Sequence, residues 1–329
     1  MVDTGLSLAP RSGLLNGAAS SALDAAELLG YPVLVKPAAG GGGIGMISAG
    51  NHAELAKALE QARSLSQRSF GSTEIYLENL LLKPRHIEFQ ILADQYANVR
   101  HLFERDCSIQ RRYQKVIEES PAPLLSRALL DKAANDFVQV LRRLPYDVIG
   151  TIETLYEKGT DFRFLEMNTR LQVEHAVTEE ITGIDLVIAQ IRLAAGERLE
   201  EVLPEAIPNN GHAIEARIYA EDPIRFYPSP GALKAFRLPT GAGIRTETGY
   251  SERDEITPYY DPLILKLIAH GNNRQQAIDR LLAALDATVI EGIKHNIPFV
   301  RRMLESPQFR SGQVHTGLGV EVAKQGPMN

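Results

Sequence analysis

From Glu166 to His175 the chain runs Glu-Met-Asn-Thr-Arg-Leu-Gln-Val-Glu-His, with a polar residue at every second position. Glu166, Asn168, Arg170, Gln172 and Glu174 alternate with Met167, Thr169, Leu171 and Val173. Successive side chains of an extended chain point to opposite faces. One face would then carry two carboxylates, an amide pair and a guanidinium, and the other would be almost wholly apolar. Such a row has the chemistry to hold a metal, an anion and a base. A solvated strand alternates too, but it usually carries Thr, Lys and Ser.

A second carboxylate extends this pattern. Residues 150–156 and 161–168 form the arms of an expected hairpin turning through 157–160, which sets Glu153 and Glu166 on opposite arms with both side chains free to face one side. Two oxygen ligands so placed could clamp Mg²⁺ against nucleotide phosphates, with Asn168 on the same face. Cross-strand carboxylates are common, so the pair alone does not define a metal site.

Lys36-Pro-Ala-Ala-Gly-Gly-Gly-Gly-Ile-Gly-Met46 places five glycines within residues 40–45. Glycine lets the backbone approach a ligand closely and aim successive N–H groups at an anion. No Gly-Lys-Ser/Thr closes the run as in a Walker loop, and its last glycine is misplaced for a dinucleotide fingerprint. Apolar strands on both sides suggest a flexible hairpin flap with Lys36 at its base; a passive loop is the alternative. In residues 104–119, Arg111, Arg112 and Lys115 could bind an anion, although such a charge run is more often a solvated loop.

The rest of the chain positions these groups. With 329 residues, 44% of them hydrophobic, it can bury a large core and divide into two or three domains. A net charge of −6 argues against a dedicated nucleic-acid binder. No apolar run approaches the ~20 residues of a membrane helix, and the N-terminus lacks the pattern of a secretory signal. The single cysteine, Cys107, excludes an intramolecular disulfide and fits a reducing compartment as a small packed side chain. The expectation is a soluble, cytoplasmic protein.

Residues 1–20 are a Gly/Ser/Ala-rich lead-in. Helices are expected over 22–29, 51–66, 126–143, 185–195, 274–287 and 296–305 from their apolar periodicity and caps. Strands are expected over 31–36, 74–82, 86–93, 212–219 and 234–238. The Pro/Asn/Gly cluster at 204–211 is the linker candidate. Mixed short elements without a βαβ rhythm indicate an α+β fold.

In this order, the segments resemble the ATP-grasp core of biotin carboxylases. The matching phrases are Lys-x-x-x-Gly-Gly-Gly-Gly-x-Gly-Met (36–46), Pro-Arg-His-Ile-Glu (84–88) and Glu-Arg-Asp-Cys-Ser-x-Gln-Arg-Arg (104–112). They continue with Gln-Lys-Val-Ile-Glu-Glu (114–119), the 166–175 run, Ala-Glu-Asp-Pro (220–223) and Pro-Ser-Pro-Gly (228–231). The resemblance implies an ATP-grasp fold with a mobile glycine-rich lid subdomain (21–82), an ATP-grasp core (83–205) and a biotin carboxylase C-terminal domain (206–323). It implies that ATP and bicarbonate form carboxyphosphate, whose CO₂ is taken by N1′ of biotin.

Carried over by position, Lys36, Gly41, Gly42, Gly43 and Gly45 would hold the ATP phosphates. Glu78 and Leu81 would lie by the adenine, and His86 and Gln110 near the ribose and phosphates. Glu153 and Glu166 match ligands of Mg²⁺ (or Mn²⁺), with Asn168 beside them. Lys115, Arg170, Gln172 and the Val173 N–H would bind bicarbonate, and Glu174 would deprotonate it. Arg170 and Arg217 would stabilise the biotin oxyanion. Arg170 suits both anions because its fork stays charged.

Ile44, where most acyl-CoA and pyruvate carboxylases have Arg or Lys, together with Ser12-Gly-Leu-Leu15 and Leu65-Ser-Gln-Arg-Ser-Phe-Gly71, is similar to the urea and guanidine carboxylases. A biotin carboxylase of an acyl-CoA or pyruvate carboxylase is the alternative, and an ATP-binding remnant without catalysis a third. Carbamoyl-phosphate synthase shares the fold but lacks the Gln-Val-Glu-His run. Tyr113 and Asn79 depart from the usual His or Asn and Lys near the nucleotide. The pattern implies an N-terminal truncation that omits the family's N-terminal αβ domain. No Met-Lys-Met biotin-attachment motif occurs. Biotin would therefore arrive on a carrier domain elsewhere, and a carboxyltransferase domain or subunit would complete the set of partners.

Overall fold

A computed structural model describes residues 5–15, 19–39, 44–111, 113–157, 159 and 161–324. Gly41, Gly42, Gly43 and Arg112 lie outside the described residues. The chain divides into two units, Met1–Leu82 and Lys83–Asn329.

The first unit contains α1 (Ala19–Leu29), β1 (Val33–Pro37), β2 (Ile47–Ala49), α2 (His52–Phe70) and β3 (Ile75–Asn79). Its strands form an antiparallel sheet in the order β2-β1-β3. Helix α2 starts where Asn51 accepts a hydrogen bond from the Glu54 N–H, and it ends at Gly71 in the left-handed region. Leu55, Ala58, Leu59 and Ala62, the face expected from the 3.6-residue period, are buried against Val33, Val35, Ile75 and Leu77. Gly45 closes the turn before β2 with φ +78°, and a Cβ there would come within 2.9 Å of Pro37 Cγ, so glycine is required.

The second unit opens with β4 (Arg85–Ala93), β5 (Val99–Arg111), β6 (Gln114–Ser120), α3 (Arg127–Leu141), β7 (Val148–Tyr156), β8 (Arg163–Asn168), α4 (His175–Thr182), α5 (Leu186–Ala194) and α6 (Leu199–Val202). It continues through β9 (His212–Tyr219), β10 (Gly231–Ala232), β11 (Ala235–Arg237), β12 (Ile244–Glu247), β13 (Glu255–Ile256), β14 (Leu263–Gly271) and α7 (Arg274–Ala287). The chain then forms β15 (Val289–Glu291), α8 (Ile297–Glu305), α9 (Pro307–Arg310) and α10 (Leu318–Lys324). Eight strands form one antiparallel sheet, ordered β12-β14-β9-β6-β5-β4-β7-β8. The α+β expectation holds, since no parallel βαβ unit occurs among the described residues. Apolar residues of β9 and β14 pack with Ile278, Leu281, Phe299 and Met303 from the C-terminal helices in the largest core.

Pairing of β6 with β9 joins the segments on either side of residue 206 in one sheet. Two expectations are corrected. Residues 104–111 and 114–119 are adjacent strands whose residues are largely buried, where the charge run suggests a solvated loop. The extended run from Glu166 stops at Asn168. Val173 and Glu174 lie in a turn that opens α4, and Glu174 adopts φ −82°, ψ 10°. The alternation continues past the strand because a turn into a helix also buries Gln172 and Glu174 while leaving Val173 exposed.

Candidate active site

One rung of the large sheet carries much of the chemistry. Arg105 of β5 lies opposite Glu88 of β4, Glu88 opposite Glu153 of β7, and Glu153 opposite Glu166 of β8. Register partners project to the same face of a sheet, so four charged residues form a row across four strands. Arg105 is fully buried. Its guanidinium donates to Glu88 Oε1 (2.5 Å), Gln90 Oε1 (2.7 Å), Thr178 Oγ1 (2.9 Å), Thr151 Oγ1 (3.2 Å) and Gln172 Oε1 (2.9 Å).

Lys115 projects from β6 into this network. Its ammonium donates to Glu88 Oε2 (2.6 Å), Glu153 Oε1 (2.9 Å) and Glu174 Oε1 (2.5 Å). Burial would lower the Lys115 pKa, but Glu88 and the other carboxylates outweigh it and raise it well above its usual value. On the other side of Glu174, Arg217 donates to Glu174 Oε2 at 2.9 Å and to Glu118 Oε1 at 2.6 Å. Glu174 is thus a buried carboxylate held by two cations. Burial pushes its pKa upward, but Lys115 and Arg217 prevail and hold the group ionised, well below the usual carboxylate range.

Glu153 is held in the same way. Burial would raise its pKa, yet His86, whose Nε2 lies 3.2 Å away, and Lys115 keep it well below the usual range. Gln172 donates to Glu153 Oε1 at 2.9 Å and so ties the carboxylate to Arg105. Gln110 Nε2 lies 2.9 Å from His86 Nδ1 and donates to the Cys107 carbonyl at 2.8 Å. Helix α10 supports this point, since a Cβ on Gly319 would lie 2.1 Å from the Gln110 carbonyl oxygen. The Val173 carbonyl accepts from Lys266 Nζ at 2.7 Å, which fixes the turn before α4.

The structure therefore brings together Lys115, Glu153, Gln172, Glu174, Arg217, His86 and Gln110. Glu166 and Asn168 adjoin them at the edge: Glu166 is exposed, and Asn168 Oδ1 accepts from Arg170 at 3.0 Å. Arg170 is exposed and also donates to the Leu171 carbonyl at 3.2 Å. It does not pair with Glu174 as the extended-chain reading allows; Lys115 and Arg217 do. Carboxylates and an amide oxygen suit a hard divalent cation. Glu153, Glu166 and Asn168, two of them register partners, fit Mg²⁺ in donor type.

In the first unit, Lys36 of β1 donates to both Glu78 oxygens, at 3.3 and 3.2 Å, and lies over the Tyr76 ring. Burial would lower its pKa, but Glu78 and Tyr76 raise it. Leu81 follows β3 and is half-buried. Asn79 donates to the Leu29 carbonyl at 3.3 Å, a helix-end contact.

Sequence reasoning misses Arg105 and Glu88 as site residues. The signal is present: His86, Glu88 and Gln90 alternate with Ile87, Phe89 and Ile91, the same pattern that singles out 166–174.

Residues 1–202 match the family described as "Carbamoyl-phosphate synthase L chain, ATP binding domain", and residues 215–318 match "Biotin carboxylase C-terminal domain". Over 316 residues the chain is 48% identical to a biotin carboxylase of Halalkalibacterium halodurans, a match covering 96% of this chain and 70% of that protein. The chain belongs to the biotin carboxylase family. Members are ATP-dependent carboxylating ligases, and the expected ATP-grasp fold with its C-terminal domain is that of the family. One of the pyruvate carboxylase subunits of Methanothermobacter thermautotrophicus is 47% identical over 292 residues, 88% of this chain and 59% of that protein. Among solved biotin carboxylase structures, the biotin carboxylase domain of a Hydrogenobacter thermophilus 2-oxoglutarate carboxylase, with MgADP, ADP and bicarbonate, superposes with a TM-score of 0.93. It is 42% identical, and the match covers 98% of this chain and 72% of that one. No helix among the described residues is long and apolar enough to cross a membrane.

Proposed function

We propose that this chain carboxylates N1′ of carrier-bound biotin with ATP and bicarbonate. The observation that carries the reading is Glu174, buried and ionised between Lys115 and Arg217. A carboxylate held so far below neutrality is a weak base, whereas a general base works best near the operating pH. Bicarbonate resolves the conflict because it is an anion. Bound beside Lys115 and Arg170, it competes for Lys115, one of the two cations that neutralise Glu174, and a contact drawn away from Glu174 makes it more basic.

Glu174 then takes the bicarbonate proton. The freed oxygen attacks the γ-phosphorus of ATP, ADP leaves, and the carboxyphosphate breaks to CO₂ and phosphate. The released phosphate takes the N1′ proton of biotin, Arg217 and Arg170 stabilise the oxyanion on the ureido oxygen, and the nitrogen takes the CO₂. Glu153, Glu166 and Asn168 would hold Mg²⁺, which supplies charge neutralisation at the phosphates. Lys36, Gly45 and the glycine run are proposed phosphate contacts of the first unit, with Glu78 and Leu81 beside the adenine. His86 and Gln110 are proposed near the ribose and phosphates, and Gln172 and the Val173 N–H as bicarbonate contacts.

The relatives favour an acyl-CoA or pyruvate carboxylase over the urea or guanidine type, since a pyruvate carboxylase component stands among them. Ile44, exposed in the turn before β2, keeps the urea reading as a second possibility. A biotin carrier domain and a carboxyltransferase are the partners this activity requires. Purified protein should form ADP from ATP in a manner dependent on both bicarbonate and biotin. ATP turnover indifferent to biotin would overturn the assignment. Reconstitution with carrier and carboxyltransferase, supplying pyruvate, an acyl-CoA or urea in turn, identifies the acceptor.

A further inference from the structure

We propose that Tyr219 and Asn296 form one positioning unit behind the site, which holds Lys115 and Arg217 in place on either side of Glu174. The inference rests on the proposed function only for what Lys115 and Arg217 do.

Asn296 is fully buried and stands immediately before α8. An Asn there ordinarily caps its own helix, as Asn51 does for α2 and Asn273 for α7 by accepting from the Glu54 and Gln276 N–H groups. Asn296 makes no such side-chain bond. Pro298 in the first turn has no N–H to offer, and the Phe299 and Val300 N–H groups bond to the Asn296 carbonyl. The side chain is therefore free to serve another element, and it serves β9. Its Oδ1 accepts from the Tyr219 N–H at 2.8 Å, and its Nδ2 donates to the Arg217 carbonyl at 3.0 Å. The Asn296 N–H also donates to the Tyr219 carbonyl at 3.2 Å. A single side-chain amide thus takes the place of a neighbouring strand along Arg217–Tyr219.

Tyr219 carries the connection onward, its hydroxyl donating to the Lys115 carbonyl at 3.1 Å. Burial raises the pKa of that hydroxyl well above its usual value, so it remains a donor at any working pH. The β6–β9 ladder runs from Ser120 opposite Ala213 only as far as Ile117 opposite Ala216. Lys115 pairs outward with Gln110 of β5, and Arg217 outward with Lys266 of β14. On the side where the two face each other, the bonds through Asn296 and Tyr219 do what the ladder does elsewhere. Misplacement of a catalytic group by about 1 Å can cost ~10²-fold in rate, so this connection bears on turnover.

The test compares Tyr219→Phe, Asn296→Ala and the double variant in the full chain. Two readouts are taken: kcat and KM for ATP- and bicarbonate-dependent biotin carboxylation, and amide hydrogen exchange over residues 115–117 and 217–219. Tyr219→Phe should melt close to wild type, keep its KM for ATP and lose roughly five- to tenfold in kcat, the scale of one net hydrogen bond. Asn296→Ala should accelerate exchange around Lys115 although it does not touch that residue. The double variant should be little worse than Asn296→Ala, because parts of one unit do not add. Additive effects, or wild-type exchange at 115–117 in Asn296→Ala, would overturn the proposal. Should Asn296→Ala fail to fold, Tyr219→Phe decides alone: faster exchange at 217–219 as well as at 115–117 supports the unit, and a change confined to 115–117 refutes it. If the wild-type protein does not carboxylate biotin, the functional reading fails, while the exchange data still decide whether Tyr219 and Asn296 act together.

Discussion

Replacing Glu174 by Gln removes a base while nearly keeping its shape, and the structure changes what that variant should do to stability. The carboxylate is buried and holds two cations, and breaking a buried pair typically costs ~3–5 kcal/mol because a charge is left uncompensated. Here neither cation is left without a partner: Lys115 keeps Glu88 and Glu153, and Arg217 keeps its hydrogen bond to Glu118 Oε1. The variant should therefore fold with a lowered melting temperature and carboxylate biotin at least ~10²-fold more slowly. Near-normal turnover with the same loss of stability would make Glu174 a structural ion. Glu174 and Lys115 are legible in the sequence through their family phrases, and Arg217 through its position in the resemblance. Their mutual contacts are not, because Lys115 and Arg217 lie far apart along the chain and no local pattern pairs them. Arg105 escapes notice for a related reason: a guanidinium inside a strand passes for surface until five oxygen partners surround it.

At the level of the sheet, β6 and β9 place Glu118 directly opposite Glu215, both fully buried. Burial raises Glu118, offset in part by Arg217 and reinforced by Glu174, to about 7 from the usual 4.5. Burial likewise raises Glu215 well above its usual value. A carboxyl whose folded pKa exceeds its unfolded one holds a proton that the unfolded chain has released, so stability falls as pH rises between the two values. Melting temperature should accordingly decline between about pH 4.5 and 7, and Glu118→Gln should flatten part of that decline. An equal slope in both proteins would show that Glu118 does not retain its proton. Neighbouring Glu119, on the opposite face, works with the other sign. Burial would raise it, but His212 and Arg274 lower it to about 2, so its contribution is present above 4.5 and is lost as pH falls toward 2. Helices with capped, periodic faces, such as α2, α3 and α7, are legible within a few residues. Strand β14, Leu-Ile-Leu-Lys-Leu-Ile-Ala-His-Gly, is not, since a central strand buried on both faces shows no alternation.

Across the whole chain, each unit encloses its own apolar core. Leu55, Leu59, Val33, Val35, Ile75 and Leu77 pack together in the first, and the β9–β14 sheet face packs with α7 and α8 in the second. A unit with a complete core of its own can melt as its own cooperative body, and the connection between the two at Leu82–Lys83 is a single chain crossing. Scanning calorimetry should therefore resolve two unfolding transitions. Unfolding enthalpy scales with length at about 0.7 kcal/mol per residue near 60 °C, and the second unit is roughly three times as long as the first. The smaller transition should carry about a third of the enthalpy of the larger. Because Lys36 and Glu78 belong to the first unit and are proposed to contact nucleotide, Mg-ATP should shift that smaller transition upward by mass action. One transition whose calorimetric and van't Hoff enthalpies agree would mean that the chain melts as a single cooperative body. Two transitions of which only the larger responds to nucleotide would remove Lys36 and Glu78 from the ATP contacts.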